Sequence, residues 1–519
     1  MTVKILDKLT LEADNVRAGV TIYETSDEYI PIYKMEPPHI EAATSAVLDH
    51  IRERLVEVVQ VNISEITDPK AAEDIKQRFL SKAIQLIQDE FPRLTKAEQL
   101  SLAGKLVHDM LGLGDLELLI NDPNLEEIVI NSSSDPVWVY HKKFGWLKTN
   151  IKISSEEQIY NYSSIIGRKV GRQISNLNPL MDAHLLTGDR VNATLFPISN
   201  LGNTITIRKF ARNPWTMTHF ISPEFNTIPK NIAALLWLSM EYELNVLVAG
   251  GTASGKTSVL NAMLSFIPTN HRILSIEDTR ELLLPQYVHW VPLTTREPNP
   301  EGKGEVTMLD LLVNSLRMRP DRIVVGEIRR EREAEVLFEA MHTGHSVYST
   351  IHADRAEQVK GRLTNPPINL PEELLESLHL VLVQFRHRKM RIRRTLEVAE
   401  VVPRYKPDGD IAIDMNVLYK WNPKTDKMDQ TGKSTRLYDE ITLHTGMSEK
   451  EINQDLKDKE RILQWMVDHN INVVDAVGKV IADYYQDPDS IIDLASKNKK
   501  PSEILTPDLL KKLELNKGS

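Results

Sequence analysis

A chain of 519 residues without a single cysteine excludes disulfides, thiolate zinc sites and thiol redox chemistry together. Its 63 basic and 73 acidic residues leave a net charge of −10, which argues against general nucleic-acid binding. No apolar run approaches the ~18–20 residues of a membrane span, and the opening MTVKILDKLTLEADN lacks the apolar core of a signal peptide. The protein is therefore expected to stay where it is made, or to dock on something that holds it.

The first forty residues alternate short apolar and acidic stretches and end in EPPHI, where Pro37 and Pro38 stop any helix. Residues 1–38 are expected to form a separable arm. Residues 39–210 read as an α+β domain. Helical spacing in AVLDHIRERLVEVV gives way after Gly112 to strand-like LEEIVINSSSDPVWVYHKKFGWLKTN, a helix near Glu156–Gly167 and a strand at Thr204–Phe210. The stretch 211–230 is polar, proline-bearing and aperiodic, and is expected as a linker. Across 231–403 helix and strand signals alternate regularly, the signature of a parallel α/β core. The remainder, 404–519, is expected as a strand and helical appendage, with its clearest amphipathic run in QDLKDKERILQWMVDHNINVVDAVGKVIADYY.

The strongest local pattern is NVLVAGGTASGKTSVLNAML, a buried-strand run, a glycine-rich turn and a helix. Gly250, Gly255, Lys256 and Thr257 fit the phosphate-loop spacing. Glycines let backbone N–H groups converge on phosphate oxygens, the helix amino terminus adds its positive end, and a lysine neutralises the β/γ charge. Contacts to ATP are expected from Gly250, Gly251, Thr252, Ala253, Ser254, Gly255, Lys256, Thr257 and Ser258.

A phosphate loop that hydrolyses needs acids at neighbouring strand ends, where ligands bind in open α/β sheets. DRIVVGEIR supplies Glu327, and RILSIEDTREL supplies Glu277, Asp278 and Glu281. For Asp278 alone, helix capping is an equal alternative. Glu281 or Glu277 is expected to orient the attacking water, with Thr257 and Glu327 serving the Mg²⁺ shell.

In GHSVYSTIHADRAEQ the histidines His345 and His352 flank a strand-like run. Seven extended residues separate them by ~23 Å, so they do not share one metal unless the chain doubles back. With GEIRREREAEVLFEAMHTGHSVYSTIHAD added to the phosphate loop and IEDTRE, the chain resembles the secretion ATPase superfamily that powers type II secretion, type IV pili and archaella. The likeness runs from about Gly112 to Pro403 and includes LEEIVIN and GDRVNAT. It implies an α/β fold in which a RecA-like motor domain follows a smaller α+β domain and carries a helical carboxyl-terminal appendage. It implies a ring of six subunits with nucleotide between the two domains.

By the same resemblance EDTRE is the acidic box, Glu327 the Walker B acid, and His345 a sensor of nucleotide state. A satisfied structural histidine is the alternative, and the weightier reading for His352. Arg190 in GDRVNAT and Arg208 in TIRKF resemble smaller-domain arginines that reach the nucleotide, surface ion pairing being their alternative. Arg329 and Arg362 also fall in family motifs. The missing cysteines exclude the four-cysteine zinc insertion of bacterial pilus enzymes, and LRMRPDRIVVGEIR looks like the archaeal branch, above all archaellum motor ATPases.

That likeness implies a polytopic membrane platform protein and accessory cytoplasmic motor proteins as partners, at the inner face of the cell membrane. Archaeal pilus assembly and type II/IV secretion remain alternatives. A nucleic-acid translocase would need a basic groove with stacking aromatics. The sequence shows only RHRKMRIRR, Arg386–Arg394, read as a solvated hairpin turn ahead of a docking surface.

Overall fold

The computed structural model describes residues 3–38, 40–59, 71–185, 188–210, 213–298, 302–390, 392–407 and 410–516. Two compact units divide the chain, Met1–Ala211 and Arg212–Ser519.

In the first unit the strands come early. β1 (Val3–Ala13) and β2 (Val16–Thr25) form a hairpin about Asp14 and Asn15, both at positive φ, and β3 (Ile32–Glu36) pairs with β2. β4 (Leu125–Ile130), β5 (Pro136–His141), β6 (Gly145–Lys152), β7 (Leu180–His184), β8 (Arg190–Thr194) and β9 (Thr204–Arg208) complete a nine-stranded sheet. Its order is β1-β2-β3-β6-β5-β4-β9-β8-β7, antiparallel except where β3 runs parallel to β6.

The expected arm is thus three strands of the sheet. Val16, Ala18, Val20 and Ile22 alternate inward and share a core with Leu118, Val139 and Ile207. Fully buried Tyr33 donates its hydroxyl to Asp122 Oδ2 at 2.7 Å. Pro37 and Pro38 end a strand and mark no domain boundary.

Helices Ala42–Val58, Ala71–Glu90 and Lys96–Leu111 pack about their own core of Ile51, Leu55, Ile87 and Val107. The hairpin turn is held to them at one point. His108 Nε2 and Lys76 Nζ reach Asp14 Oδ2 at 2.8 and 2.7 Å, and a side chain on Gly104 would overlap the Asp14 carbonyl.

The second unit begins inside the stretch expected as a linker. Met217 and Phe220, on the short helix Met217–Ile221, and then Ile228 are buried in the same core as Trp237 and Leu260. Their wide spacing among polar residues hides the burial from a periodicity reading.

Six parallel strands follow: β10 (Val246–Gly250), β11 (Arg272–Glu277), β12 (His289–Thr294), β13 (Arg322–Val325), β14 (Ser346–Ile351) and β15 (Leu380–His387). β16 (Ile392–Tyr405), β17 (Ile411–Asn422) and β18 (Lys427–Gln430) extend the sheet antiparallel, giving the order β12-β11-β13-β14-β10-β15-β16-β17-β18. Every residue of β10, β13 and β14 is buried, as strands covered on both faces require.

The expected appendage is part of this unit. β16 to β18 continue the sheet, and helices Glu449–Asp468 and Val474–Gln486 bury Trp465, Val477 and Ile481 against the core of Trp237 and Phe266. Lys459, wholly buried, lies 2.9 Å from Glu241 on the helix Lys230–Glu241. A mainly parallel sheet with helices between its strands is the RecA-like arrangement expected, and a smaller α+β unit precedes it in the chain.

Parallel strands end on one edge. The chain leaves β10 for β11, which stands beyond β14 and β13, so the sheet reverses its winding beside β10. The loop after β10 and the ends of β11, β13 and β14 therefore share one edge.

Candidate functional site

Gly250 leaves β10 at φ +152, where any side chain would overlap Gln384 O and Ser254 Oγ. Ala253 at φ +59 and Gly255 at φ +94 then turn the backbone tightly enough for the helix Lys256–Leu264 to start at once. Ser254 Oγ donates to Gly251 O at 2.9 Å and braces the turn. This backbone form lets N–H groups and a helix amino terminus face one anion.

Lys256 is buried and its Nζ donates to Gly251 O at 3.1 Å. Burial pulls its pKa below the ordinary amine value, while the charges of Glu327, Asp354 and Glu281 oppose that pull. Lysine and three carboxylates therefore share one field. Thr257 and Ser258 follow, half-buried, in the first helical turn.

At the end of β11, Glu277 Oε1 accepts from the backbone N–H of Glu281 at 2.9 Å and of Leu282 at 3.1 Å. Its Oε2 is buried without a hydrogen-bond partner. Burial pushes the carboxyl pKa up to about 7, against the lowering by the two backbone donors. A Cβ on Gly326 would stand 3.7 Å from Glu277 Cγ, so the ends of β11 and β13 touch.

Glu327, next in the chain, accepts from Arg329 Nε through Oε2 at 2.6 Å. Its Oε1 is buried and makes no aligned hydrogen bond, although His352 Nε2 stands within ion-pair range at 2.9 Å. Arg329 also donates to Asp278 Oδ2 at 2.7 Å. Asp278 caps no helix, because the chain after it is irregular; it is tied to the Glu327 strand end through this arginine.

A cavity of about 600 Å³ opens beside the loop, lined among others by Gly251, Thr252, His352, Asp354 and Arg362. His345 does not join it. That histidine precedes β14, at the amino end of the strand, with Nδ1 3.2 Å from Ala340 O and from Thr343 Oγ1. His352 follows the same strand at its carboxyl end, on the phosphate edge. One strand length therefore separates the two histidines, and His352, not His345, borders the loop.

Arg190 and Arg208 lie in the other unit, on β8 and β9, directly opposite each other in register. Asp182 holds Arg190 through two bonds, at 3.1 and 2.5 Å. Two like charges side by side disfavour strand pairing, and the Asp182 carboxylate offsets that of Arg190.

Of the basic run, the turn lies between β15 and β16, and Arg391 is outside the described residues. Its inner arginines have protein partners. Arg393 Nε donates to Ala253 O in the phosphate loop at 3.3 Å, and Arg394 grips Asp426 with two 2.7 Å bonds. Asp354 and Arg393 escaped the sequence reading. The rule that found Glu327, an acid just past a strand's carboxyl end, applies equally to Asp354.

The donor set fits Mg²⁺ carried with a nucleotide. That ion takes one or two carboxylates plus phosphate oxygens and needs no cage of protein ligands. Among the described residues no group of three or more His, Cys, Asp and Glu is placed to hold a metal. The unpartnered buried oxygens of Glu277 and Glu327, with the Thr257 hydroxyl in the first turn of the loop's helix, are the oxygens such an ion and its water would use.

The family model described as type II/IV secretion system protein matches residues 119–412, more than half of the chain. The chain belongs to that family. The match spans the phosphate loop, both acidic strand ends and the two arginines of this secretion-family chain.

Among its relatives is the uncharacterized protein MJ0900 of Methanocaldococcus jannaschii, 36% identical over 429 residues, covering 81% of this chain and 74% of that protein. The type IV secretion system protein PtlH of Bordetella pertussis is 31% identical over 261 residues, 46% of this chain and 76% of its own length. Among solved structures, the VirB11 ATPase of the Brucella suis type IV secretion system, in complex with sulphate, aligns at 25% identity with a TM-score of 0.27. That alignment covers 55% of this chain and 94% of VirB11. An archaeal relative agrees with the archaeal branch of the secretion ATPase superfamily inferred from the motifs.

Proposed function

We propose that this protein is a Mg²⁺-dependent ATPase that turns hydrolysis of ATP to ADP and phosphate into motion of an archaellum. The observation that carries the reading is the meeting of buried Lys256 with Glu327, Asp354 and Glu281 beside two buried, unpartnered carboxylate oxygens. Lys256 and the loop backbone bind the phosphates. Thr257 and Glu327 hold Mg²⁺, which when bound offsets phosphate charge.

Glu277 is the better placed of the two candidates to orient water. One of its oxygens is committed to backbone N–H groups while the other is uncommitted. A carboxyl that titrates near neutrality also suits proton traffic at working pH. His352, touching Glu327, takes the sensing role that the motif suggested for His345. By the family resemblance, Arg190 and Arg208 are assigned the part of adding charge to the transferring phosphoryl group.

The archaellum reading is supported by the absence of cysteines, and hence of a four-cysteine insertion, and by the Methanocaldococcus relative. It entails a homo-hexamer working from the cytoplasmic face against a polytopic membrane platform protein, with accessory motor proteins and without nucleic acid. Among the described residues no helix is long and apolar enough to cross a membrane, so the membrane contact is assigned to the partner. Protein secretion is the second reading, favoured by the name of PtlH.

Deletion in the native host separates them. The archaellum reading expects cells without surface filaments by electron microscopy and without swimming. Filamented, swimming cells that fail to export a protein would establish the second reading instead.

A further inference from the structure

The chamber beside the phosphate loop is bordered by Gly250, Gly251 and Thr252, by the end of β14, and by one face of the helix Ala356–Thr364. Side chains along that helix differ in how they are occupied. Gln358 Oε1 accepts from Asp354 N at 3.0 Å. Gly361 leaves the wall open, since a Cβ there would meet nothing nearer than Asn365 Nδ2 at 3.6 Å. Arg362 makes no hydrogen bond, ion pair or ring contact with any described residue, although the carboxylate of Asp354 borders the same chamber.

Three other arginines near the loop are engaged. Arg329 joins Glu327 to Asp278, Arg393 caps Ala253 O, and Arg394 grips Asp426. A guanidinium is a planar fork that gains most from an anion offering two oxygens, and Arg362 has no such partner among the described residues. The chamber carries His352, which touches Glu327, so it lies on the side of the loop where the acid acts. The terminal phosphate of a triphosphate would enter this side, whereas a diphosphate ends at the loop.

We infer that Arg362 is the residue by which this chain distinguishes ATP from ADP, its guanidinium engaging oxygens of the terminal phosphate; this rests on the ATP-binding reading above. It is a specificity residue supplied by the subunit that holds the nucleotide. Because the side chain is exposed, its removal leaves the core intact.

The test is a fluorescence titration of the full-length protein with ADP and with a non-hydrolysable ATP analogue. Wild type is compared with Arg362→Ala, Arg362→Lys and Lys256→Ala. A charge-assisted contact made to one ligand and not the other predicts that Arg362→Ala weakens the triphosphate analogue about 10- to 100-fold while ADP changes by less than about twofold. Arg362→Lys should recover part of the loss, because it restores the charge without the fork. Equal weakening of both ligands, or no change in either, overturns the inference about Arg362. If Lys256→Ala weakens both in that same experiment, the nucleotide site stands even so. Wild-type protein that binds neither nucleotide overturns the site reading and this inference together.

Discussion

Glu327→Gln is expected to reduce phosphate release by about 100-fold or more while ATP still binds, since loss of one preorganised transition-state contact typically costs ~10²–10³ in turnover. The substitution keeps the shape of the side chain and removes only its charge. Arg329 can still bond an amide oxygen there, so the tie between the ends of β11 and β13 persists. What disappears is the negative charge beside the buried Oε1, which makes no aligned hydrogen bond and has only His352 Nε2 near it, at 2.9 Å. Lys256 and the turn Gly250–Gly255 are untouched, and they are the groups proposed to hold the phosphates. Steady-state phosphate release, run beside titration with a fluorescent ATP analogue, separates the two effects. Turnover at the wild-type rate would remove Glu327 from the mechanism.

The second large effect concerns stability and pH. Glu277 titrates at about 7 in the folded protein, above the ordinary glutamate value of 4.5, because burial disfavours its charge. Between those two values the folded state keeps a proton that the unfolded chain has released. Folding therefore binds protons there, and stability falls as pH rises through that window. The cost is absent below pH 4.5 and complete above pH 7, where it amounts to about 3 kcal/mol.

Glu277→Gln abolishes the titration. Its melting temperature should match that of wild type near pH 4 and exceed it by roughly 5 °C at pH 8.5, for a unit of this size. Scanning calorimetry at a series of pH values measures the difference directly. A gap between the two proteins that stays constant with pH would mean that Glu277 does not ionise in this window.

The phosphate loop was legible because its chemistry requires contiguous residues, and the glycines at positive φ sit where that chemistry placed them. Glu277 and Glu327 were legible because each closes a short apolar run. The histidines show the limit of that reading. β14 has a histidine at each end, and family motif and strand direction pointed to different ones. Applying the strand-end rule consistently would have chosen His352 and Asp354.

Long-range pairing left no local trace. β3 joins β6 across more than a hundred residues, so residues 3–36 carried the alternation of strands but no sign of their partner. The amphipathic face around Ile462 and Trp465 announced a buried helix without saying what it covers. Its contact with Trp237, and the ion pair of Lys459 with Glu241, come from residues more than two hundred positions apart.

Phosphate release by Lys256→Ala is the most direct test of the whole account. With the buried ammonium at the loop removed, Mg²⁺–ATP turnover should fall to background while the protein melts as wild type does. Undiminished turnover by that variant would contradict a triphosphate site built on Lys256, and with it the motor.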